Sequence, residues 1–338
     1  MTCWTPHGKP LALPMVCAPM FIVSGPELLL AQCKAGVVGS MPALNARTPE
    51  VFDAYLSRIG SELAAYDADH PDKPSAPYAI NLIVHGSNKL LDEQVRLCVR
   101  HEVPVVITSL GAKTEVNDAI RSYGGIVLHD VVNLVHARKA IERGADGLIA
   151  VAAGAGGHAG ALSPFALVQE IREWWDGPLL LSGAISTGHA LLAAQVMGAD
   201  LGYCGSCFIP ATEANADAAY KQMVVDGSAA DIVYTDRVSG TPANFLRTSL
   251  ERAGVRFDGA RPQADYGDLL DGSTAWRDIW SAGHGIGVLH DQRTVAEIVA
   301  TFTMQYRAGL DRTQGLHSAG DREDYAPGHA GGRERACV

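Results

Sequence analysis

Nowhere in the 338 residues is there an uninterrupted apolar run of about 18, so no membrane-spanning helix is expected. The opening MTCWTPHGKP has no basic segment followed by a long apolar one, so export is not expected either. Charge is sparse, at 19% of residues, and its balance is acidic, with a formal net charge of −10. No cluster of Lys and Arg interleaved with aromatics occurs, which argues against a nucleic-acid partner. Metal patterns are missing too. There is no HExxH, and the seven cysteines (Cys3, Cys17, Cys33, Cys98, Cys204, Cys207 and Cys337) offer no second pair to complement Cys204 and Cys207. A metal site is therefore not expected, and scattered, odd-numbered cysteines fit a reducing, cytoplasmic setting. The absence of GxxxxGK[ST] removes a P-loop.

What the chain has is apolar residues (47%) and 36 glycines, the composition of an α/β enzyme with many strand-to-helix turns. Short apolar runs lie near residues 13, 37, 79, 104, 126, 148, 179 and 201, and segments of helical periodicity separate them. Eight strands at a spacing of about 25 residues predict a TIM (β/α)8 barrel that closes after the eighth. A doubly wound open sheet is the structural alternative. Caps are predicted at Ser24, before Pro26, and at Thr48, before Pro49. Val135, Ala140 and Ile141 are expected to face inward from one helix. Beyond Ala211 the repeat breaks. The expected organisation is barrel over 1–212, a smaller, mainly helical insertion over 213–275, a return to the barrel over 276–312, and a disordered tail over 313–338. Within it, Asn244 to Ala253 and Val295 to Gly309 read as helices, Pro262 to Gly272 as loop, and Trp276 with Trp280 as packing residues four apart.

The most informative stretch is Gly147 to Ala161, GLIAVAAGAGGHAGA. An apolar strand opens into glycines that would cost a helix about 1 kcal/mol each against alanine. A single imidazole, His158, rises from that bare backbone. It reads as a general base, a hydrogen-bond donor to a ligand, or an exposed loop histidine. His129 and Asp130, ending the fifth strand, are candidates to point into the same site. Ser182-Gly183-Ala184 and Gly205-Ser206 follow the seventh and eighth strands, where barrels often hold a phosphate on backbone N–H groups. Cys204 reads as core. From these residues alone the reading is a barrel holding a phosphorylated cofactor or substrate, with one candidate base.

Taken in order, Ala18-Pro19-Met20, Asn81, Gly156-Gly157-His158-Ala159-Gly160, Ser182-Gly183-Ala184-Ile185, Gly198-Ala199-Asp200 and Gly205-Ser206-Cys207-Phe208 resemble the nitronate monooxygenase family, formerly called 2-nitropropane dioxygenase. Thr235-Asp236, Ser239 to Asn244 and Ile279 to Gly283 extend the likeness, which covers roughly Leu13 to Gly309. The resemblance implies an FMN-containing barrel. It implies Ala18, Pro19 and Met20 beside the isoalloxazine and Asn81 hydrogen-bonded to it. Gly183, Gly205 and Ser206 would hold the phosphate, with Gly156, Gly157, Ser182 and Ala184 as neighbouring backbone contacts and His129 and Asp130 near the ring. His158 would be the catalytic base toward a nitroalkane, or a polar contact to a nitronate, with O2 completing conversion to a carbonyl compound and nitrite. The chain departs from relatives in two places. Alanine stands at Ala184 where many have glycine, and it still permits backbone contact if its φ is negative. Asp130 stands where some relatives have lysine. An NAD(P)H-dependent flavin reductase of the quinone or enoyl-thioester type is the second reading, and a non-redox phosphate-ligand barrel the third. The partners expected are a small-molecule substrate and O2, with a homodimer left open.

Overall fold

The computed structural model describes residues 4–256 and 277–320. Its frame is an eight-stranded parallel sheet made of β1 (Met15–Cys17), β2 (Gly39–Pro42), β3 (Tyr78–Ile83), β4 (Val105–Ser109), β5 (Ile126–Val131), β6 (Gly147–Val151), β8 (Leu179–Ser182) and β9 (Leu201–Cys204). Sequential strands neighbour one another, and β1 pairs with β9 through Met15–Gly202, Val16–Tyr203 and Cys17–Cys204. A parallel bridge between Val16 and Val38 then joins β1 to the segment leading into β2, so the ring closes. Each strand candidate falls within a few residues of its predicted place. Closure leaves the barrel sheet without a free edge to template association.

Alternation along the strands sorts the side chains. Val16, Val38, Ala79, Val105, Ile107, Leu128, Ile149, Leu180 and Leu201 form one cluster that fills the barrel. Their neighbours, such as Ile80, Val106, Val127, Leu148 and Leu181, point outward into the helix layer. The helices between strands are α1 (Pro26–Lys34), α2 (Pro49–Asp69), α3 (Leu91–Arg100), α4 (Thr114–Arg121), α5 (Leu134–Glu142), α6 (Pro164–Arg172) and α7 (Gly188–Val196). Thr48 caps α2, its hydroxyl accepting from the Val51 N–H. Ser24 does not cap α1; Gly25 holds that position, and the Ser24 hydroxyl accepts instead from the Met20 N–H at 3.0 Å. Val135 is exposed rather than inward, because Ala137 and Ala140 take the buried stripe of α5.

After β9 come α8 (Ala218–Asp226), β10 (Ile232–Thr235), β11 (Ala243–Leu246), α9 (Arg247–Arg252) and α10 (Val295–Gly320). The segment read as one helix from Asn244 begins as a strand, since Ala243–Leu246 pairs antiparallel with β10. Short apolar runs do not separate strand from buried helix by period alone. The last helix runs beyond Gly309 to Gly320. It lies on α7 at backbone distance: a Cβ on Gly188 would sit 2.0 Å from the Phe302 carbonyl oxygen, and the Gly188 N–H donates to Gln305 Oε1 at 2.9 Å. Trp280 stacks on Tyr220 with ring centres 5.0 Å apart and carries the Arg252 guanidinium on its ring, so it packs as expected. Trp276, the loop Pro262 to Gly272, Cys3, Cys337 and tail residues 321–338 lie outside the described residues. No described helix is long and apolar enough to cross a membrane.

Candidate active site

A cavity of about 900 Å³ opens at the C-terminal ends of the barrel strands. Its wall brings together Ala18, Pro19, Met20, Asn81, His129, Asp130, Gly156, Gly157, His158, Ser182, Gly205 and Ser206, which come from six different barrel strand ends.

His158 is not on a free loop. Gly157–His158 forms β7, a two-residue strand pairing antiparallel with β11, with Ala243 opposite His158 and Asn244 opposite Gly157. Asn244 is 2% exposed and its amide donates to the Ala155 carbonyl at 2.7 Å, holding the turn before the histidine. The Tyr234 hydroxyl donates to the Ala159 carbonyl at 3.0 Å, holding the turn after it. Ser239 Oγ lies 3.5 Å from His158 Nε2. Burial disfavours the charged ring and lowers the His158 pKa from 6.5 to about 4, so it is neutral at neutral pH.

The Ala18–Met20 segment leaves β1 and is pinned from below. Asn45 Nδ2 donates to the carbonyls of Met20 (3.1 Å) and Ser24 (2.7 Å), while Asn45 Oδ1 accepts from the Ile22 N–H. That fixes an apolar shelf on one side of the cavity. Across from it, Asn81 Nδ2 donates to Ser109 Oγ at 2.8 Å, and Ser109 Oγ donates to Asp130 Oδ2 at 2.6 Å. The three residues lie in the C-terminal halves of adjacent strands β3, β4 and β5. Burial raises the Asp130 pKa from 3.8 to about 6, against the opposing effect of its hydrogen bonds from Ser109 and the Leu110 N–H. His129, one residue earlier, belongs to the other face of β5. Its Nδ1 meets Thr108 Oγ1 at 2.6 Å, and burial lowers its pKa to about 4.

A third region gathers glycine-rich backbone. Ser206 Oγ accepts from the Gly283 N–H at 2.8 Å, joining the turn after β9 to the returning chain. A Cβ on Gly156 would lie 2.8 Å from the Gly283 nitrogen and 3.2 Å from Ser206 Oγ, so only glycine lets the three backbones meet. This corner of the wall carries hydroxyls and main chain and no carboxylate.

Gly183 and Ala184 are not on the cavity wall. Gly183 (φ +146) turns toward the Ala153 carbonyl, and the Ala184 N–H donates to the Gly154 carbonyl at 3.3 Å. Ala184 has φ +54, not the negative value alanine prefers. Cys204 is buried with its thiol pKa pushed up, as a core residue should be. Sequence reasoning missed Ser109, Tyr203, Tyr234, Ser239 and the Asn45 clamp. Ser239 lay within a noted motif; the others carried no signal beyond following a strand or sitting in one. Among the described residues no group of three His, Cys, Asp or Glu is arranged to hold a metal ion.

The sequence model of the nitronate monooxygenase family matches residues 9–305. The chain belongs to that family. It is therefore an oxidoreductase of a flavin-using family. It is 25% identical to the nitronate monooxygenase of Paraburkholderia phytofirmans, over 88% of this chain and 93% of that protein. It is 21% identical to the nitronate monooxygenase of Neurospora crassa, over 92% and 93%. Among solved structures, a nitroalkane oxidase from Streptomyces ansochromogenes superposes with a TM-score of 0.74 at 22% identity, covering 89% of this chain and 97% of that one. FabK from Thermotoga maritima superposes at 0.73 with 23% identity, over 90% and 96%. Both share the barrel.

Proposed function

We propose that this chain oxidises alkyl nitronates to a carbonyl compound and nitrite, using FMN and O2. The residues present fit the cofactor. The corner at Gly156, Gly205 and Ser206 offers hydroxyl and main-chain donors to a phosphate with no carboxylate to repel it. With Gly183 and Ala184 off the wall, the phosphate falls to Gly205 and Ser206, with Ser182 beside them. The shelf of Ala18, Pro19 and Met20 suits a flat apolar ring, and the Asn81 amide a polar ring edge. When bound, the flavin supplies the electron acceptance and oxygen chemistry that side chains lack.

The observation that carries the reading is His158, held on the β7–β11 rung and facing the cavity as a neutral imidazole. A base works best with its pKa near the operating pH. One near 4 is poorly matched to pulling a proton from a neutral nitroalkane. It is well matched to receiving an anion already formed, because an arriving nitronate favours the protonated ring and strengthens the hydrogen bond to it. His158 thus binds and orients the nitronate, while the apolar shelf keeps water from the reacting carbon.

The test is anaerobic mixing of the purified protein with a nitronate, NADH and NADPH in separate experiments. Bleaching of flavin absorbance by the nitronate alone supports the proposal. Rapid bleaching by a pyridine nucleotide and none by nitronate refutes it in favour of a reductase.

A further inference from the structure

Among the described residues Asp130 is the lone carboxylate on the cavity wall, and the reading above gives it no part. Its surroundings are specific. Ser109 Oγ, occupied on its acceptor side by Asn81 Nδ2 at 2.8 Å, turns its own proton onto Asp130 Oδ2 at 2.6 Å. The Leu110 N–H adds a second hydrogen bond from a backbone held at φ +61. No Lys or Arg is among the groups that shift its charge. The titratable groups around it are Tyr203 from β9, His129 on the far face of its own strand, His158 from β7, and His136 and Lys139 on the rim from α5.

Strand order says what this carboxyl faces. The phosphate corner centres on the turn after β9, and in the closed ring β4 lies opposite that strand, with β3 and β5 on either side of it. A flavin anchored at that corner would have the row formed by Asn81, Ser109 and Asp130 facing it across the mouth. From this juxtaposition, and resting on the FMN reading, we propose that Asp130 takes up a proton when the flavin is reduced, remaining a carboxylate beside the oxidised flavin and becoming a carboxylic acid beside the reduced one. Two electrons and one proton go to the flavin. One further proton passes from water to an Asp130 oxygen, forming the O–H bond. The cause is Coulombic. Reduction places negative charge at the ring edge, and a half-buried carboxylate without a cation beside it is repelled by that charge in a medium that screens poorly. The group is poised for this, because burial already holds its pKa near 6 with the site free of added charge. Asn81 and Ser109 are positioning residues that aim the carboxyl at the ring.

The consequence is a steep pH dependence of the flavin midpoint potential. One proton per two electrons changes the reduction equilibrium tenfold per pH unit, or about 30 mV; two protons change it a hundredfold, or about 60 mV. The experiment is a spectroscopic titration of the FMN-loaded protein with dithionite against reference dyes, between about pH 6.5 and 8. The wild type is expected to follow the steeper slope and Asp130→Asn the shallower one. Ser109→Ala, which removes the hydrogen bond favouring the carboxylate, is expected to keep the steep slope but begin it at higher pH. It serves as the second variant should Asp130→Asn fail to fold. A shallow slope in the wild type, or equal slopes in wild type and Asp130→Asn, overturns the proposal while leaving the cofactor reading intact. A pure protein that binds no FMN overturns both.

Discussion

Ala243 stands opposite His158 on an antiparallel rung, so the histidine is carried by chain from beyond the last barrel strand as well as by its own loop. The rung explains how an imidazole in a run of glycines keeps one orientation. It also makes the site depend on two segments 85 residues apart in the chain (243 − 158 = 85).

His158→Asn is expected to fold and to retain flavin, since the rung is made of backbone. Turnover of a nitronate should fall by roughly 10²-fold, within the range removed with a positioned polar or acid–base group. Neutral nitroalkane should be a poor substrate before and after. Steady-state kinetics on both forms check this; an unchanged nitronate rate removes His158 from the reaction.

Gly156→Ala should be costly although it adds one methyl group. Its Cβ would stand 2.8 Å from the Gly283 nitrogen, a backbone atom with little room to move. A loss of about 1–3 kcal/mol in stability is expected, the range for overpacking a tight site, together with weaker FMN retention. Urea denaturation and flavin content of the purified variant measure the two effects. Unchanged values of both would mean that the three backbones meet less closely.

Ala184→Gly should stabilise. An alanine at φ +54 costs about 1–2 kcal/mol in the left-handed region, and glycine returns part of that through its freer unfolded chain. A net gain of roughly 0.5 kcal/mol is expected, read as a shift in denaturation midpoint. Because Ala184 lies off the cavity wall, activity should not change.

Acid should destabilise the fold through two histidines whose charged forms the fold disfavours. His129 and His158 have pKa values near 4 when folded against 6.5 as the ordinary value, so between those pH values the unfolded chain binds protons the folded chain lacks. Their stabilisation is complete above 6.5 and is lost as pH falls toward 4. Asp130 acts with the opposite sign between 3.8 and about 6, where the folded chain holds the extra proton, and it offsets part of the loss. The melting temperature should drop from about pH 7 to about pH 5, and drop less in His129→Gln. An equal drop in that variant would show that His129 is not held neutral by the fold.

Much of the barrel was readable because its signal is local. Each parallel strand is buried on both faces, so runs such as Leu179 to Leu181 stand out as continuous apolar stretches without knowledge of their partners. Thr48 was identifiable as a cap for the same reason, since a cap is a contact across three residues. Ser24 failed because its hydroxyl was claimed by the Met20 N–H, in the loop that shapes the apolar shelf. From Asn244 onward the sequence predicts helix, although Ala243–Leu246 is a strand, because its partners, β10 and the two residues of β7, lie elsewhere in the chain.

The amino-acid sequence by itself determined the ring of eight strands, the glycine-lined turns above it and the histidine among them, because propensity, period and motif are written over neighbouring residues. Only the tertiary structure decided that Ser109 joins Asn81 to Asp130, that His129 faces away from Asp130, and that Ala184 stands clear of the cavity. Those facts depend on which strand ends meet and which way each pleat turns, and closure of the barrel settles both at once.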